Sequence, residues 1–587
     1  MADSPLDNAD GPISVTIKVA GSAIDDALQI LRVQVDSAVG QIPEAQVVLQ
    51  AGSIAENEFP EADGNDFKIG SEISIAAAYG SGSDQDLFKG VIVSKRMRIT
   101  RGAPRLELGC IDKAAKLTYT RKSALYEAKK DSDVMSQIIS DAGLSADVSS
   151  TTDTERDILR YACSDWGYLR SLSDRAGHVI TITGGKVTSK PPATSEAAVL
   201  VVTLGVDIIS FDARVDAEMS LKGAKASAWD SSTQEVAEGT GKTPAAPEWG
   251  NYTPSALAEV LGDREFHVST AREVPSADLT IATNARTLRT ALASIQGECT
   301  FQGSGKAVPG VVIELAGLGD RFSGDAYVSG VRQLVEEGAW TTEVALGLPD
   351  SWNVDSGTFA SESAAGLAAP IHGLQVGTVL QINEDPDSKA RFKISLPMVA
   401  DPAPQVWARY AQPYATKEAG FEFYPEVGDE VLVGFLNADP NAPVVLGSVH
   451  NGKAARPDEP TADNFIKQIV TNQKMKLIFD DEKKIITIET PGGHSVVMDD
   501  DATSITLKDS TGNKIEMASG GISINSPGDI TLSADGAISI AATTDATLTG
   551  MNVTAEADTA FTGKGGATAE VSASGQMTVK GGIVMIN

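Results

Sequence analysis

Short pairs of apolar residues, each split by one polar residue, recur along the stretch from Thr503 to Asn587. Alternation with a period of two is typical of a β-strand, and the spacers of Gly, Asp, Ser, Pro and Ala are typical of turns. From Ile522 onward the pairs repeat every eight residues. Each repeat is therefore predicted to be one short strand followed by one turn. The predicted core residues of this region are Ile505, Leu507, Ile515, Met517, Ile522, Ile524, Ile530, Leu532, Ile538, Ile540 and Leu548.

Two apolar side chains per eight residues cannot enclose a hydrophobic core within one chain. A single-chain parallel β-helix needs roughly twenty residues per coil to do so. Three identical chains, each supplying one face, would bring the apolar rows together on a three-fold axis and would cover the free strand edges. The pattern thus favours an intertwined trimeric β-helix, a β-prism needle. The alternative is a monomeric β-sandwich of hairpins, whose strands rarely keep a fixed spacing.

The N-terminal part of the chain also alternates in the β manner, with strands predicted through residues 13–120 and again through 311–346. We predict a hub domain over residues 1–348, made of two β-barrels with small α/β insertions. Apolar residues at helical spacing predict its helices. These are a helix with Asp131 or Ser132 as N-cap and with Val134, Ile138 and Ile139 buried, a helix over Asp165–Ala176, a helix beginning at Pro254, and a longer helix over Asn284–Gln296.

The remaining chain divides at Pro-containing linkers, predicted over residues 349–370 and 453–470. Between them, residues 371–452 carry five or so strands with Gly-rich turns, which is typical of a small closed Greek-key barrel of the OB type. Residues 471–587 form the predicted needle. The fold class is therefore mainly β with small α insertions.

Composition narrows the range of partners. The 587 residues carry a formal net charge of −31. A surface this acidic argues against nucleic acid or anionic lipid headgroups as binding partners. The three cysteines lie far apart in sequence and show neither a disulfide framework nor a zinc-ligand spacing, which favours a reducing compartment. The N-terminal segment MADSPLDNADGP lacks the features of a secretory signal peptide, and no apolar window is long enough for a membrane helix.

Sequence motifs for catalysis and for metal binding are missing. The chain contains no H-E-x-x-H, G-x-S-x-G or C-x-x-C pattern. The string FQGSGKAVPG around Gly303–Lys306 is interpreted as a turn, because Thr300 and Ala307 stand where a phosphate-binding loop requires Gly and Ser or Thr. His494 would meet two symmetry copies in a trimer, but in the turn GGHS an outward-facing polar side chain is the commoner outcome. We therefore predict no catalytic residue, no metal ligand and no cofactor.

The string PEVGDEVLVGFLNADPNAPVVLGSVHNG, residues 425–452, closely resembles the barrel signature of the VgrG family, the spike proteins of type VI secretion and related contractile injection systems. Upstream, VGTVLQINEDPDSKARFKISLP is similar to the start of that barrel. Downstream, GGHSVVMDDDATSITLKDSTGNKIEM is similar to the beginning of the spike helix. The hub resembles the family more weakly, through RYACSDWGYLRSLSDRAGHV and PGVVIELAGLGDRFSGDAYVSGVRQLV.

This resemblance implies a homotrimeric hub whose tube-like barrels meet a hexameric inner tube and baseplate proteins, and a needle that pierces a target membrane mechanically. It also implies assembly in the bacterial cytoplasm within an injection particle, a small PAAR-type protein at the tip, and effector cargo. The expected tip-binding residues are Ile583, Val584, Met585, Ile586 and Asn587. The alternative for these residues is a frayed terminus.

Two other functional classes agree less well with the sequence. A trimeric tail-fibre-like adhesin would be expected to carry a receptor-binding head after the needle. A glycan-cleaving enzyme on a β-helix would need paired carboxylates in a groove on long coils, for which eight-residue repeats leave no room. The sequence thus favours a non-enzymatic spike and hub, with the adhesin as the alternative.

Overall fold

Strands predominate in the computed structural model, which describes residues 3–100, 104–218, 220–242, 249–262, 264–355 and 362–586. The chain divides into two units, Met1–Gly447 and Ser448–Asn587. None of the helices in these described ranges is long and apolar enough to cross a membrane.

The first strands follow the predicted alternation closely. The segment RLELGCI forms the whole of one strand, and its alternate residues Leu106, Leu108 and Cys110 are buried. The elements of this region are β1 (Ile13–Val19), β2 (Ser22–Ala23), β3 (Ile30–Ala38), β4 (Glu44–Gln50), α1 (Pro60–Asp63), β5 (Glu72–Tyr79), β6 (Gln85–Arg98) and β7 (Arg105–Ile111).

A helical insertion with two small sheets follows. The helix predicted over Asp165–Ala176 has those bounds in the structure. The Oγ of Ser164 accepts a hydrogen bond from the Gly167 N–H at its start, and Gly177 ends it with φ +72°. The elements are α2 (Lys116–Tyr119), β8 (Arg121–Lys129), α3 (Asp131–Asp141), β9 (Ser145–Val148), β10 (Arg156–Ser164), α4 (Asp165–Ala176), β11 (Val179–Thr183) and β12 (Lys186–Lys190).

Helix α3 has the predicted buried face of Val134, Ile138 and Ile139, but its N-cap differs from the expected Asp131 or Ser132. The cap is Lys130, whose backbone N–H donates to the carboxylate of Asp133. Asp131 is the first helical residue, because its own carboxylate is bound by two arginine side chains and cannot cap the helix.

The third part of the hub returns to strands. Helix α6 begins at Ser276 rather than at the predicted Asn284. Its first two turns are rich in Ser, Thr and Ala and therefore carry a weak apolar pattern. It ends at Ala293, because Ile295 already belongs to a strand paired on both sides. The elements are β13 (Val201–Thr203), β14 (Ile208–Val215), β15 (Gly223–Asp230), β16 (Glu235–Gly241), α5 (Pro254–Val260), β17 (Glu265–Thr270), α6 (Ser276–Ala293), β18 (Ile295–Gln302), β19 (Val312–Ala316), α7 (Gly319–Phe322), β20 (Gly324–Glu336) and β21 (Ala339–Leu346).

The two barrels expected in the hub share one 13-stranded sheet in the structure. Its main path runs β14-β18-β21-β20-β3-β4-β7-β6-β5-β1-β2, and β13 and β19 join it through β20. The junction is β20, which spans 13 residues and is therefore long enough to pair with β19, β21 and β3. Two hydrophobic cores flank the junction, one built around Val47 and Ile75 and the other around Phe301 and Val344.

A small five-stranded barrel closes in the order β22-β23-β24-β28-β27. Its core includes Val379, Phe392, Ile394 and Val433, all fully buried. The strands are β22 (Gln375–Gln381), β23 (Arg391–Ser395), β24 (Gln405–Tyr410), β25 (Ala415–Thr416), β26 (Ala419–Gly420), β27 (Glu430–Phe435) and β28 (Pro443–Ser448), of which β25 and β26 form a separate hairpin.

The second unit is a meander in which each strand pairs antiparallel with the next along the chain. Strand β29 begins at Ile466, inside the segment expected as a linker, because its residues pair with the following strand. The strands are β29 (Ile466–Val470), β30 (Lys476–Asp480), β31 (Ile485–Glu489), β32 (Ser495–Asp499), β33 (Ser504–Lys508), β34 (Lys514–Ala518) and β35 (Gly521–Asn525).

Candidate assembly surfaces

One face of the meander carries two continuous rows of apolar side chains, which we call the apolar stripe. Antiparallel pairing brings the apolar residues of neighbouring strands opposite each other, as in the pairs Leu507–Ile515 and Ile515–Ile524. The first row is Ile469, Leu477, Ile488, Val496, Leu507, Ile515 and Ile524, and the second is Phe479, Ile486, Met498, Ile505, Met517 and Ile522.

The single chain leaves this stripe in contact with solvent. Within it, Met517 is 38% exposed, Ile524 59% and Ile522 73%. Contiguous apolar surface of this kind marks an interaction site rather than an ordinary protein surface. Of the predicted core residues, Ile505, Leu507, Ile515, Met517, Ile522 and Ile524 lie in the stripe.

The predicted residues Ile530, Leu532, Ile538, Ile540 and Leu548 lie beyond the meander. Within the described residues, strand pairing in this unit ends at Asn525, and the backbone then bends at regular intervals with all side chains from Pro527 onward exposed. The spacing of the bends keeps the eight-residue period of the sequence, with one seven-residue step. The bends fall at residues 527–528, 535–536, 543–544, 551–552, 558–559, 566–567, 574–575 and 582–583.

Six stripe residues of β30–β32 were missed as core residues: Leu477, Phe479, Ile486, Ile488, Val496 and Met498. They form the same one-apart pairs as the predicted residues, but successive pairs start nine or ten residues apart. This spacing corresponds to a five-residue strand and a hairpin turn, so the signal was present in the sequence at a longer period.

The turn between β33 and β34 is fixed by one carboxylate. Oδ1 of Asp509 accepts hydrogen bonds from the backbone N–H groups of Thr511 (2.9 Å) and Asn513 (2.8 Å), and Oδ2 accepts from the Asn513 side chain (2.7 Å). These hydrogen bonds from Asn513 and Thr511 stabilise the ionised form and lower the pKa of Asp509 to about 2. The turn sets the register that aligns the apolar stripe.

The expected tip residues are the last part of the chain that the structure describes. Ile583, Met585 and Ile586 are 85–94% exposed, and Val584 is 49% exposed. Four adjacent apolar side chains therefore face solvent. Asn587 lies outside the described residues.

The buried charged groups of the hub are engaged with one another. Asp131 accepts hydrogen bonds from Arg156 (2.7 Å) and from the Nε and guanidinium NH2 of Arg175 (2.9 and 2.6 Å). Burial opposes the ionisation of Asp153, but hydrogen bonds from Thr151 and Arg156 outweigh it and lower its pKa. These bonds tie α3 to β10 and α4, so the cluster holds the insertion together.

The Gly303–Lys306 segment has the turn structure that the sequence indicates. Its backbone N–H groups already donate: Gly303 to the Trp340 carbonyl (2.9 Å), Ser304 to Thr342 Oγ1 (2.9 Å) and Gly305 to Gln85 Oε1 (2.7 Å). A phosphate-binding loop needs such groups free to face the anion. The backbone N–H groups of Gly303, Ser304 and Gly305 are therefore not free to hold a phosphate.

His494 is exposed in the turn before β32. Across the described ranges, no group of three or more His, Cys, Asp or Glu side chains is arranged to hold a metal ion. The absence of a metal site and of a cofactor remains a sequence prediction.

Family models match three successive segments of the chain. The model described as the Alg8 N-terminal domain matches residues 9–337, more than half of the chain. The model of the type VI secretion system/phage-baseplate injector OB domain matches residues 375–450, which include the closed five-stranded barrel. The model of the phage baseplate V C-terminal trimerisation domain matches residues 485–587, which include most of the apolar stripe.

Curated relatives match over a short segment. The chain is 39% identical over 57 residues to the type VI secretion system spike protein VgrG1a of Pseudomonas aeruginosa, covering 10% of this chain and 9% of that protein. It is 39% identical over 51 residues to the spike protein VgrG3 of Vibrio cholerae, covering 9% of this chain and 5% of that protein. The matches thus span less than a tenth of the length of these relatives.

Solved structures of tail and secretion proteins resemble the chain at low identity. The tail protein from Neisseria meningitidis MC58 is 14% identical, with a TM-score of 0.43, and covers 59% of this chain and 99% of its own. The E. coli c3393 protein, a component of the type VI secretion system, is 11% identical, with a TM-score of 0.37, and covers 74% of this chain and 99% of its own.

Proposed function

Because this chain belongs to the family of the Alg8 N-terminal domain and is a VgrG-like spike protein with an injector OB domain and a C-terminal trimerisation domain, we propose that it is the hub and needle at the tip of a contractile injection apparatus. In this role three copies join the inner tube to a needle that punctures a target membrane.

The observation that carries the proposal is the apolar stripe, followed by the eight-residue repeat. Full burial of each Ile, Leu, Val or Met side chain stabilises an assembly by about 1.5–3 kcal/mol. A single chain leaves these side chains exposed, whereas three chains can bury the stripes on a common axis. We infer that residues beyond Asn525 take their strand partners from the two other copies, as an intertwined β-helix.

The hub is proposed to contact the hexameric inner tube and the baseplate. Its two hydrophobic cores lie in two halves of one sheet, joined by the pairing of β20 with β3. Three copies would therefore present six similar β-modules. A ring of six modules matches the symmetry of a hexameric tube, and this match supports the hub as the adaptor between six-fold and three-fold symmetry.

The tip is proposed to bind a PAAR-type protein through Ile583–Ile586, together with Asn587. Three copies of these apolar side chains would form a patch that a small protein with an apolar base could cover. Effector cargo is proposed to travel with the particle.

The action is proposed to be mechanical, without catalysis or a cofactor. Assembly is proposed to take place in the bacterial cytoplasm, followed by delivery outside or into the target cell. A net charge of −31 per chain supports protein partners over nucleic acid.

The mass of the purified full-length chain in solution, measured by light scattering, tests the proposal. We expect a trimer of three 61.1 kDa chains. A chain ending at Ala462 lacks the stripe and is expected to lose trimer stability while its hub still folds. A folded full-length chain that stays monomeric at micromolar concentration would refute the proposal.

A second measurement concerns the tip. Binding of a purified PAAR-type protein to the full-length trimer is expected to be lost on Met585→Asp and retained on Thr562→Asp, an exposed polar position away from the tip. Equal loss with both variants would contradict the assignment of the tip. If the protein were an adhesin instead, the unsubstituted chain would not bind the PAAR-type protein.

A further inference from the structure

The small barrel presents an exposed group of aromatic side chains on residues 411–429, which we call the aromatic loop. The rings of Phe421 and Phe423 stack with centroids 4.5 Å apart and planes inclined by 27°. Phe421 is 42% exposed and Phe423 is 47% exposed, and Tyr414 and Val427 beside them are more exposed still. Aromatic side chains clustered in this way are enriched in the centres of protein interfaces.

Hydrogen bonds and ring contacts hold the loop against the end of the barrel. The Tyr410 hydroxyl donates to the Phe423 carbonyl oxygen (3.2 Å), and the Tyr410 ring lies 5.9 Å from that of Tyr424. The Phe421 N–H donates to the Tyr414 carbonyl (2.8 Å). The exposed rings are therefore presented on an ordered scaffold, which lowers the entropy lost on binding.

The aromatic loop is acidic and its charges are unpaired. Among the described residues, Glu418, Glu422 and Glu426 make no ion pair. Two loops meeting each other would place these carboxylates together, which is unfavourable. The loop therefore favours a partner surface that carries positive charge.

Such a surface lies on the outer side of β23 and β24, which we call the basic face. Lys393 stands opposite Trp407, and Arg391 stands opposite Arg409. Lys393 and Arg409 have no ion-pair partner in the part of the chain that the structure describes, whereas Arg391 is bound by Asp385 (2.6 Å). In a chain with a net charge of −31, this face is suited to an acidic partner with aromatic side chains.

The connection to the trimerisation region identifies that partner. Tyr410, which anchors the aromatic loop, pairs with Val445 in β28, the last strand of the barrel. The chain leaves the barrel directly after this strand and continues into residues 485–587, which match the trimerisation domain. Trimerisation therefore holds three copies of this barrel together at a high effective concentration.

We propose that the aromatic loop of each chain docks on the basic face of the next copy around the three-fold axis. The contact is head-to-tail, so that each copy gives one loop and receives one, and the ring closes at three. This inference rests on the trimer proposed above and adds a second interface, separate from the apolar stripe.

Cross-linking of the full-length chain tests this contact. The double variant Gln405→Cys/Ala419→Cys, which leaves the charges of both surfaces in place, is treated with a short bis-maleimide and separated under denaturing conditions. The three native cysteines are buried, and burial raises the pKa values of Cys110 and Cys299 to about 12, so the native thiols should not react. We expect a covalent trimer, because a head-to-tail contact links all three chains. Each single variant is expected to run as a single chain.

The aromatic side chains provide a second test in the same cysteine background. Phe421→Ser/Phe423→Ser is expected to reduce the yield of covalent trimer several-fold. Tyr119→Ser removes an exposed aromatic of the hub, 73% exposed, and is expected to leave the yield unchanged.

The outcomes separate this inference from the proposed function. A trimer by light scattering that gives only single chains after cross-linking would overturn the docking contact and leave the spike proposal standing. A monomer by light scattering would overturn both. A covalent trimer whose yield falls equally with the Tyr119 control would also overturn the role of the aromatic loop.

Discussion

Arg160 and Asp165 form an ion pair in the interior of the hub, with 2.5 Å between the guanidinium NH1 and Oδ1. Both side chains are buried, at 1% and 7% exposure. The Arg160 NH2 also donates to the Cys163 carbonyl (2.7 Å). Since Asp165 is the first residue of α4, the pair fixes the angle at which β10 passes into that helix.

Removing one partner of this pair should destabilise the hub strongly. Asp165→Ala leaves the Arg160 charge buried and unpaired, and the expected loss is about 3–5 kcal/mol in the free energy of unfolding. Urea unfolding of the full chain, followed by the fluorescence of Trp166 and its neighbours, measures the loss. Lys122→Ala removes the exposed partner of the same carboxylate and should cost less than about 1 kcal/mol. Equal losses for the two variants would contradict this account.

His178 should make the stability of the hub depend on pH. Its ring is buried beside Ser189, with Nδ1 3.4 Å from that hydroxyl, and burial lowers the pKa of His178 from its ordinary 6.5. The unfolded chain therefore takes up a proton at a higher pH than the folded chain. The stabilisation that comes from keeping His178 neutral in the folded chain is fully present above pH 6.5. It is lost as the pH falls below that value.

The matched measurement is the urea midpoint at pH 7.5 and at pH 5.5 for the unsubstituted chain and for His178→Gln. We expect a smaller difference between the two pH values in the variant. His372 is exposed, so His372→Gln should leave the difference unchanged. An unaltered pH dependence in His178→Gln would disprove the assignment.

A polar residue in the apolar stripe should weaken the trimer. Leu507→Ser removes one apolar side chain per copy from the proposed axis, and the expected loss is about 1.5–3 kcal/mol per copy. Thr506 lies on the opposite face of the same strand, so Thr506→Ser serves as the control. Light scattering across a guanidinium series measures dissociation. A lower midpoint is expected for Leu507→Ser alone, and coincident curves would contradict burial of the stripe.

Gly303 should not tolerate a side chain. A Cβ at this position would lie 2.2 Å from the Trp340 ring, which stacks on Tyr79 with a centroid distance of 5.1 Å. Gly303→Ala must displace the indole and is expected to cost about 1–3 kcal/mol. Gly447→Ala meets no atom within 4 Å and should be nearly neutral in the same thermal melt. A neutral Gly303→Ala would show that Trp340 can shift freely.

Strands were predictable where every second residue is apolar and buried. The segment RLELGCI of β7 is an example, and the sequence indicated its bounds. Helix α4 was predictable because Ser164 and Gly177, at its two ends, are residue types that commonly begin and end helices. The start of α6 was not, because its early turns are stabilised by close packing on Gly239 and Gly241 rather than by propensity. That packing joins residues distant in sequence.

The candidate surfaces divide in the same way. The eight-residue period predicted Ile522 and Ile524 as core residues, and the structure places them in the stripe opposite Met517 and Ile515. The aromatic loop was missed, because Phe421 and Phe423 read as ordinary strand residues in the sequence. Only their exposure in the folded barrel distinguishes them from core aromatics such as Phe392.

Because strand pairing within the chain ends at Asn525, hydrogen exchange can distinguish assembly from folding. Up to that residue, amide protons of the meander are protected by hydrogen bonds within each chain, whether or not the chain has met its partners. Beyond it, the described backbone to Ile586 has no strand partner in its own chain, so its amides should exchange with deuterium as fast as those of an unfolded peptide until other copies arrive. The slowing of exchange in that segment would therefore report when the three chains associate into the needle. This signal is independent of the folding of the chain up to Asn525.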